Sequence, residues 1–216
     1  MDTAIIKQFL SKSELTAMSN TDLNELCENR INFIDKYGVF KGEQTDILYH
    51  INIRSDFVLA LKHKLEQIDT LKTHVIDGVC IHHHLKPYDT HADFITCQNG
   101  IPVVDHTIHK PSYTALIPLT EDPLDTTVVF DQIATESNAF MDYKAVNNPL
   151  SNHIDDETWD KYCGHCHKDD QQYLTLKKIV PWHKGDLIVF HRKLFHAGAN
   201  FNTTKKSIII RLSYPQ

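Results

Sequence analysis

The chain has 216 residues, enough for one domain with a substantial core and short for two. Its hydrophobic fraction of 41% and charged fraction of 23% are typical of a folded globular protein and argue against a disordered chain. The net charge of −6 argues against binding nucleic acid through the phosphate backbone, and no apolar run approaches the ~20 residues that span a bilayer.

The five cysteines predict reduced thiols in a cytoplasmic protein. Their number is odd and the first residues show no apolar leader, whereas secreted scaffolds held by disulfide bonds have an even number behind such a leader. The fifteen histidines raise the expectation of metal or proton chemistry. Composition leaves the oligomeric state open.

Residues 1–74 are predicted to be mainly helical and to support a sheet. Residues 11–18 favour a short helix, and residues 21–38 form an amphipathic run that begins with a capping threonine and ends at a glycine. A further helix is predicted over residues 56–68, with apolar side chains at Phe57, Leu59, Leu61, Leu65 and Ile68.

From about residue 75 the sequence changes to short runs rich in Val, Ile and Thr, which favour strands. Asn99-Gly100 is typical of a two-residue hairpin turn, and Lys184-Gly185-Asp186 predicts another tight turn. Many short strands separated by turns predict a sandwich, barrel or jelly roll. The predicted strand runs lie at 75–76, 79–81, 94–97, 101–104, 113–119, 126–130, 174–176, 179–180, 187–190 and 207–214.

Residues 131–172 interrupt this pattern, because they are polar and weakly periodic. We expect an insertion between strands that forms a mobile cover at the mouth of the barrel, with a surface excursion as the alternative. The insertion contains Cys163 and Cys166, and such a pair is half of a structural zinc site, which needs four ligands. His165 or His167 with a distant residue such as His153 would complete it; the alternative is reduced thiols without metal.

Residues 87–94 carry the motif on which the functional prediction depends. His91 and Asp93 are two residues apart, and in a β-strand such positions point to the same face. An imidazole and a carboxylate would then project side by side, as two ligands of one metal do. His196 is the candidate for a third ligand, with His191 as its rival. Two histidines and one carboxylate on one side of a metal suit non-haem Fe(II) oxygen chemistry.

The last predicted strand adds a basic residue to this set. Ser207, Ile209, Arg211 and Ser213 alternate onto one face, and Arg211 follows His196 by fifteen residues. A hairpin return over that distance would bring the guanidinium near the metal. Its planar fork of donors can hold a carboxylate by two parallel hydrogen bonds, and Ser213 could add a hydroxyl.

The ordered set His91-x-Asp93, His196 and Arg211-x-Ser213 resembles the iron(II)- and 2-oxoglutarate-dependent dioxygenases. The Gly-Asp-Leu-Ile-Val-Phe run at 185–190 and the His-Ala-Gly at 196–198 are similar to that family too, and the likeness covers about residues 75–216. The small residues after His196, and its distance from the arginine, favour it over the earlier histidine as third ligand.

The resemblance implies that His91, Asp93 and His196 bind Fe(II), while Arg211 pairs with the distal carboxylate of 2-oxoglutarate. It also implies that Ser213 assists in holding this cosubstrate. Three coordination positions would remain, two for the oxoacid and one for O₂. Oxidation of a substrate would release succinate and CO₂, with hydroxylation as the default outcome, and the carboxylate ligand argues against halogenation.

Other side chains near the motif have alternative interpretations. Tyr88 and Tyr113 are considered for the second end of the oxoacid, with a structural role as the alternative. The triplet His82, His83 and His84 would alternate faces on a strand, so that part of it lines the cavity or all of it is solvated.

Together these features predict one α+β domain over residues 1–216 with a mainly β core. The core is a double-stranded β-helix (a cupin-like jelly roll) over residues 75–216, buttressed by N-terminal helices over 1–74. The expected function is Fe(II)- and 2-oxoglutarate-dependent oxidation of a small molecule, an amino acid or a peptidyl side chain. The alternative is a non-catalytic, cupin-like protein that binds a metal or ligand in the same pocket.

Overall fold

A computed structural model describes residues 3–20, 27–32, 46–85, 87, 90–93, 95–98, 101–104, 112–134, 150–199 and 204–214. These residues form mainly β structure with few helices, as the sequence predicts. The helices are α1 Lys12–Asn20, α2 Asp56–Glu66 and α3 Asp156–Cys163, and a 3-10 helix covers Lys168–Tyr173. None of the described helices is long and apolar enough to cross a membrane.

Twelve strands are present in the described ranges. They are β1 Ala4–Ile6, β2 Cys27–Asn32, β3 Asp46–Ile51, β4 Val75–His84, β5 Ile95–Gln98, β6 Ile101–Val104, β7 Tyr113–Pro118, β8 Thr126–Ile133, β9 Leu176–Pro181, β10 Leu187–His191, β11 Leu194–Gly198 and β12 Lys205–Ser213.

The larger sheet has seven antiparallel strands in the order β1-β10-β7-β12-β4-β3-β2. Its outward face packs against α1 and α2, because apolar residues of both helices and alternate residues of the central strands form one buried cluster. Ser55 caps α2 by accepting a hydrogen bond from the Val58 amide at 3.3 Å. This cluster includes Leu15, Val58, Leu61, Leu65, Ile81, Ala115, Ile117, Ile208 and Ile210.

The smaller sheet has three strands in the order β11-β8-β9, and β5 and β6 form a separate antiparallel pair. The inner face of the three-stranded sheet packs against the larger sheet through a second cluster, formed by Leu116, Val129, Val180, Trp182, Ile188, Phe190 and Leu194. Its outer face carries a third cluster described below. The two sheets therefore form a sandwich, and the space between their inner faces is the place where polar side chains can converge.

Successive strands pass between the two sheets. β7 belongs to the larger sheet, β8 and β9 to the smaller, β10 to the larger, β11 to the smaller and β12 to the larger. The predicted turn at Gly185 links β9 to β10, and its φ of +85° is a conformation that glycine adopts without strain. An added Cβ there would lie 2.8 Å from the Leu10 carbonyl oxygen, so the turn also needs the small residue.

The N-terminal region is less helical than the sequence predicts. Helices α1 and α2 lie where they are expected, but residues 27–32 of the predicted 21–38 helix form strand β2. This strand pairs with β3, and both extend the larger sheet. Strand β3 was not predicted from the sequence either. A short segment with weak periodicity adopts the structure in which its backbone can form hydrogen bonds with a neighbouring strand. Pairing in the sheet therefore overrides the local helix preference of residues 27–32.

The described part of the predicted insertion is packed rather than loose. Asp155 caps α3 by accepting from the Thr158 amide at 2.8 Å, and Trp159 and Cys163 on this helix are buried. They join Val128, Phe130, Phe195 and Ala197 on the outer face of the smaller sheet. The expectation of a mobile cover is therefore wrong for residues 150–172, which lie behind the small sheet; residues 135–149 lie outside the described ranges.

Candidate metal centre

His91 and His196 are brought together by their own backbones. The His91 amide donates to the His196 carbonyl oxygen at 2.9 Å, and the His196 amide donates back at 2.8 Å. Bridged residues of antiparallel segments point to one side, and the two imidazole centroids lie 4.3 Å apart. Asp93, two residues further on, brings its carboxylate to the same place.

The three side chains form a set of ligand atoms for one ion. His91 Nε2 lies 3.9 Å from Asp93 Oδ1, and His196 Nε2 lies 3.8 Å from Asp93 Oδ2. No other three His, Cys, Asp or Glu side chains in the described ranges come within 4.8 Å of one another. Ligands ~2.1 Å from one metal at right angles are ~3 Å apart, so small side-chain movements bring all three onto one ion. The donor set fits Fe(II) in a facial site.

Asp93 is held ionised and oriented by its neighbours. Burial works to raise its pKa, but the imidazoles of His196 and His91 oppose this. The Thr114 hydroxyl and the Arg192 guanidinium add to their effect, and the pKa is lowered to about 2. Thr114 Oγ1 donates to Asp93 Oδ2 at 2.5 Å, and Arg192 Nη2 donates to the Asp93 carbonyl oxygen at 3.1 Å.

The tautomer of His196 is set by a backbone carbonyl. Its Nδ1 lies 3.0 Å from the Leu194 carbonyl oxygen, and a carbonyl only accepts, so Nδ1 carries the proton and Nε2 has a free lone pair for a metal. His191, the rival candidate, lies elsewhere: its Nδ1 accepts from the Lys193 amide at 3.1 Å and its ring faces Tyr113 in the outward cluster of the larger sheet.

A buried ammonium lies in the same space between the sheets. Lys205 is 0% exposed, and its Nζ lies 4.1 Å from the centre of the Trp182 ring and 3.4 Å from the Thr126 carbonyl oxygen. Ser207, also 0% exposed, is two residues along the same face of β12. A Cβ on Gly198 would approach this ammonium to 3.3 Å, which explains why a small residue follows His196.

The predicted cosubstrate residues Arg211 and Ser213 lie at the other end of β12. Arg211 is exposed and pairs directly with Thr114 of β7 and Gly78 of β4. The Ser213 hydroxyl donates to Asp77 Oδ1 at 2.8 Å. Their role in cosubstrate binding stays a prediction.

The histidine triplet alternates as predicted. His82 and His84 stack with centroids 3.6 Å apart, and His84 Nε2 is 3.4 Å from the Ser207 hydroxyl between the sheets. His83 instead packs against Tyr49 on the outward face. Burial first, and then the nearby His82 and Lys205, hold the pKa of His84 well below its usual value, so the ring is neutral. Tyr88 lies outside the described residues.

The cysteine pair is buried behind the smaller sheet. Cys166 Sγ lies 3.3 Å from His165 Nε2, while His153 Nδ1 donates to the Leu150 carbonyl oxygen at 2.8 Å. A hydrogen bond with Cys163 and then burial raise the pKa of the Cys166 thiol. The four ligands of a structural zinc site do not converge in the described part of the insertion, and the reduced-thiol interpretation fits the packing.

Sequence analysis missed four polar residues that surround the site: Thr114, Arg192, Lys205 and Ser207. For Lys205 and Ser207 a signal was present, because strand alternation places both on the face of Arg211. Thr114 occupies a predicted strand, but its contact with Asp93 depends on a segment 21 residues earlier in the chain. Arg192 lies in a turn, where periodicity carries no information.

No protein-family model and no curated relative matches the sequence. Solved structures do match in fold. The non-haem α-ketoglutarate-dependent epimerase SnoN of nogalamycin biosynthesis is 12% identical with a TM-score of 0.62, over 98% of this chain and 78% of that chain. HygX from Streptomyces hygroscopicus, solved with nickel and 2-oxoglutarate, is 14% identical with a TM-score of 0.55, over 98% and 82%.

The viral collagen prolyl hydroxylase of Paramecium Bursaria Chlorella virus-1, solved with 2-oxoglutarate, extends the comparison to nearly the whole length of both chains. It is 12% identical with a TM-score of 0.53, over 100% of this chain and 97% of that chain. Identity this low carries over the architecture and not the activity. The chain therefore has the fold of the non-haem, 2-oxoglutarate-dependent oxygenases.

Proposed function

We propose that this protein is an Fe(II)- and 2-oxoglutarate-dependent oxygenase. The observation that carries the proposal is the convergence of His91, Asp93 and His196, two imidazoles and a carboxylate, between the sheets of an oxygenase fold. Hydroxylation of a small molecule, an amino acid or a peptidyl side chain is the default reaction. The carboxylate ligand argues against halogenation.

Bound Fe(II) would supply the oxidative chemistry, in which O₂ is consumed, 2-oxoglutarate becomes succinate and CO₂, and a substrate carbon is oxidised. The protein's own residues hold and orient the three candidate metal ligands. Leu194 fixes the His196 tautomer, while Thr114 and Arg192 fix the Asp93 side chain and backbone. This support keeps three ligands in one geometry before the reaction begins.

We assign the distal carboxylate of 2-oxoglutarate to Lys205, with Ser207 beside it. Lys205 Nζ lies close to Gly198, where an added Cβ would approach it to 3.3 Å, and Gly198 is two residues from His196 on β11, a rise of ~7 Å. A five-carbon oxoacid that chelates a metal with one end has its other carboxylate at a similar distance. A buried ammonium against an indole ring gives such a carboxylate a charge-assisted partner shielded from water.

Arg211 and Ser213 are the alternative pair for the same carboxylate. They share the face of β12 with Lys205, but six residues, or ~20 Å of strand, separate Arg211 from Lys205. One small cosubstrate can reach only one of the two cations. Anaerobic titration of Lys205→Ala and Arg211→Ala with 2-oxoglutarate in the presence of Fe(II) identifies which one it is.

We further propose that the two sheets form a double-stranded β-helix within one domain over residues 1–216. The passage of β7 to β12 back and forth between the sheets supports it. Residues 131–172 would be an insertion in this core, with their described part attached to the outer face of the smaller sheet. A cytoplasmic location is proposed from the odd number of cysteines.

The direct test is aerobic conversion of 2-oxoglutarate to succinate by the Fe(II)-loaded protein. We expect slow turnover without substrate, and its loss in His196→Ala. His191→Ala is the matched control, because this ring lies away from the site, and it should turn over like the wild type. A wild-type protein that binds Fe(II) but neither binds nor consumes 2-oxoglutarate would instead be a cupin-like binding protein.

A further inference from the structure

The space between the sheets has a closed end and an open end. Lys205 and Ser207 on the inner face of β12 are 0% exposed, Ile209 is half-buried, and Arg211 is exposed. Burial therefore falls along this face of β12 from Lys205 to Arg211. The cosubstrate assigned to the closed end leaves the open end for the molecule that is oxidised.

The open end adjoins the candidate metal centre. Thr114 contacts the metal-site carboxylate of Asp93 and is also the direct cross-strand partner of Arg211. Directly paired residues point to the same face, with Cα atoms about 4.5–5.5 Å apart. The guanidinium of Arg211 is therefore carried one strand away from the residue that holds Asp93, within side-chain reach of the space above the metal.

Beyond Arg211 the surface is hollow. Its partner on the other side is Gly78 of β4, where an added Cβ would meet no atom within 4 Å among the described residues. A cavity of about 390 Å³ begins at this glycine and continues along His50, Asn52, Arg54 and Asp77. This volume is within the range of small-molecule sites, ~300–1,000 Å³.

The charges around this hollow favour an anion. Arg54 and Arg211 are both exposed, and no hydrogen bond or ion pair of the Arg211 side chain occurs within the described ranges. Among the described residues that line the cavity, Asp77 is the one carboxylate, and one of its oxygens accepts from Ser213. The planar guanidinium can bind a carboxylate by two parallel hydrogen bonds, and the single negative charge of a carboxylate meets less repulsion from Asp77 than the higher charge of a phosphate would.

We propose that the substrate carries a carboxylate, which Arg211 binds at the open end of the sandwich beside the metal centre. The inference rests on the proposed oxygenase function and narrows its substrate class to small carboxylic acids, amino acids first among them. Arg211 lies between the Gly78 hollow and Thr114, so a bound acid has its carboxylate at the edge of the hollow and its carbon chain directed across β7 toward His91 and Asp93.

The test compares acids with their amides on the Fe(II)-loaded protein. Succinate formation from 2-oxoglutarate is measured with the proteinogenic amino acids and with the carboxamide of each. At least one acid should accelerate turnover. The concentration that gives the half-maximal effect should be at least about tenfold higher for its amide, because the amide loses one charge-assisted hydrogen bond. Equal response to acid and amide, or no response to any acid, overturns the proposal.

Variants of Arg211 separate substrate binding from cosubstrate binding. Arg211→Gln should raise the half-saturating concentration of the acid at least about tenfold. Arg211→Lys should raise it less, because lysine keeps the positive charge but lacks the planar pair of donors. Anaerobic 2-oxoglutarate affinity should be that of the wild type in both. Lys206→Gln removes an exposed cation from the opposite face of the same strand and should change neither quantity.

Failure of this inference is distinct from failure of the proposed function. If Arg211→Gln weakens 2-oxoglutarate binding instead of acid binding, Arg211 holds the cosubstrate and the substrate assignment is wrong while the oxygenase stands. If the wild type shows no Fe(II)-dependent binding or consumption of 2-oxoglutarate, the oxygenase proposal itself falls.

Discussion

Phe195 and His196 are neighbours on β11, yet they belong to different parts of the molecule. Phe195 points to the outer face of the smaller sheet, where it packs with Trp159 and Cys163 of the insertion. His196 points to the inner face, toward His91 and Asp93. Alternation along one strand thus separates an apolar layer that stabilises the fold from a polar layer that carries chemistry.

The segment that carries His91 and Asp93 connects the two layers. Ala92 lies between two candidate ligands and packs into the outer cluster. The outer face therefore supports the segment that carries the ligands, even though no ligand side chain points to it. Substitutions on the outer and inner faces should show that stability depends mainly on the apolar layer and that ligand binding depends mainly on the polar layer.

Trp159→Ala should give the largest effect, on stability. The side chain is 1% exposed within the outer cluster, and replacement of a buried Trp by Ala typically costs ~3–5 kcal/mol of unfolding free energy. The folded fraction should still bind one Fe(II) per chain. Chemical denaturation and metal analysis check the two claims, with exposed Leu124→Ala as the control. Unchanged stability would mean that residues 150–172 are a loosely attached surface segment.

Lys205→Met should act on the other layer. We expect a loss of ~2–5 kcal/mol in 2-oxoglutarate binding, the usual cost of deleting one partner of a buried, charge-assisted contact. Fe(II) binding should be nearly unchanged, and stability unchanged or higher, because an apolar side chain replaces a buried charge. Anaerobic calorimetry measures both ligands. Lys206→Met on the exposed side of β12 is the matched control, and wild-type cosubstrate affinity in Lys205→Met would return the role to Arg211.

Arg192→Gln tests the support of Asp93. The guanidinium is buried and donates to the Asp93 carbonyl oxygen, so its removal should loosen the ligand segment and lower Fe(II) affinity ~10–100-fold, as loss of outer-shell partners usually does. Arg192→Lys should restore part of the affinity. Competition with a coloured chelator measures it, and Lys193→Gln, one residue on, serves as control. Equal affinities across the series would restrict Arg192 to a structural role.

The three candidate ligands were within reach of sequence analysis, because the two-residue spacing of His91 and Asp93 and their order before His196 can be read directly. The strand expected there is absent, since His91 forms an isolated bridge with His196 and Asp93 lies in a turn. The sequence does not show whether Lys205 or Arg211 binds the cosubstrate, because strand alternation places both side chains on one face of β12. What distinguishes them is burial, and the burial of Lys205 depends on Trp182, which packs on the ammonium from the segment directly after β9.

The outer layer was missed for a different reason. Trp159 and Cys163 are spaced four residues apart, as on one helical face, but the polar residues between them hid the pattern in a segment considered irregular. The N-terminal strands β2 and β3 were missed because their pairing partners, and not their own periodicity, determine them.

The smallest effect should come from Glu14→Gln, far from both layers. Ser11 and Glu14 form a capping box at the start of α1: the Glu14 carboxylate accepts from the Ser11 amide and hydroxyl, each at 2.7 Å, and pairs with Lys64 Nζ at 2.9 Å. The Ser11 hydroxyl first, and then its amide and Lys64, outweigh partial burial and lower the pKa of Glu14 from 4.5 to about 2. Since the folded-state pKa is the lower one, this contribution is complete above pH 4.5 and is lost as the pH falls toward 2.

Because more than a third of the Glu14 side chain is exposed, solvent screening reduces its contribution well below the full free energy of the pKa shift, and we expect a loss of ~0.5–1 kcal/mol at neutral pH. Urea denaturation at a series of pH values should show the wild-type and Glu14→Gln curves converging in acid. Glu66→Gln, whose carboxylate lies 3.9 Å from Lys62 and 3.4 Å from His63 on the solvent side of α2, should differ little from wild type at any pH. A constant difference between wild type and Glu14→Gln down to the lowest pH would assign the effect to side-chain geometry instead of charge.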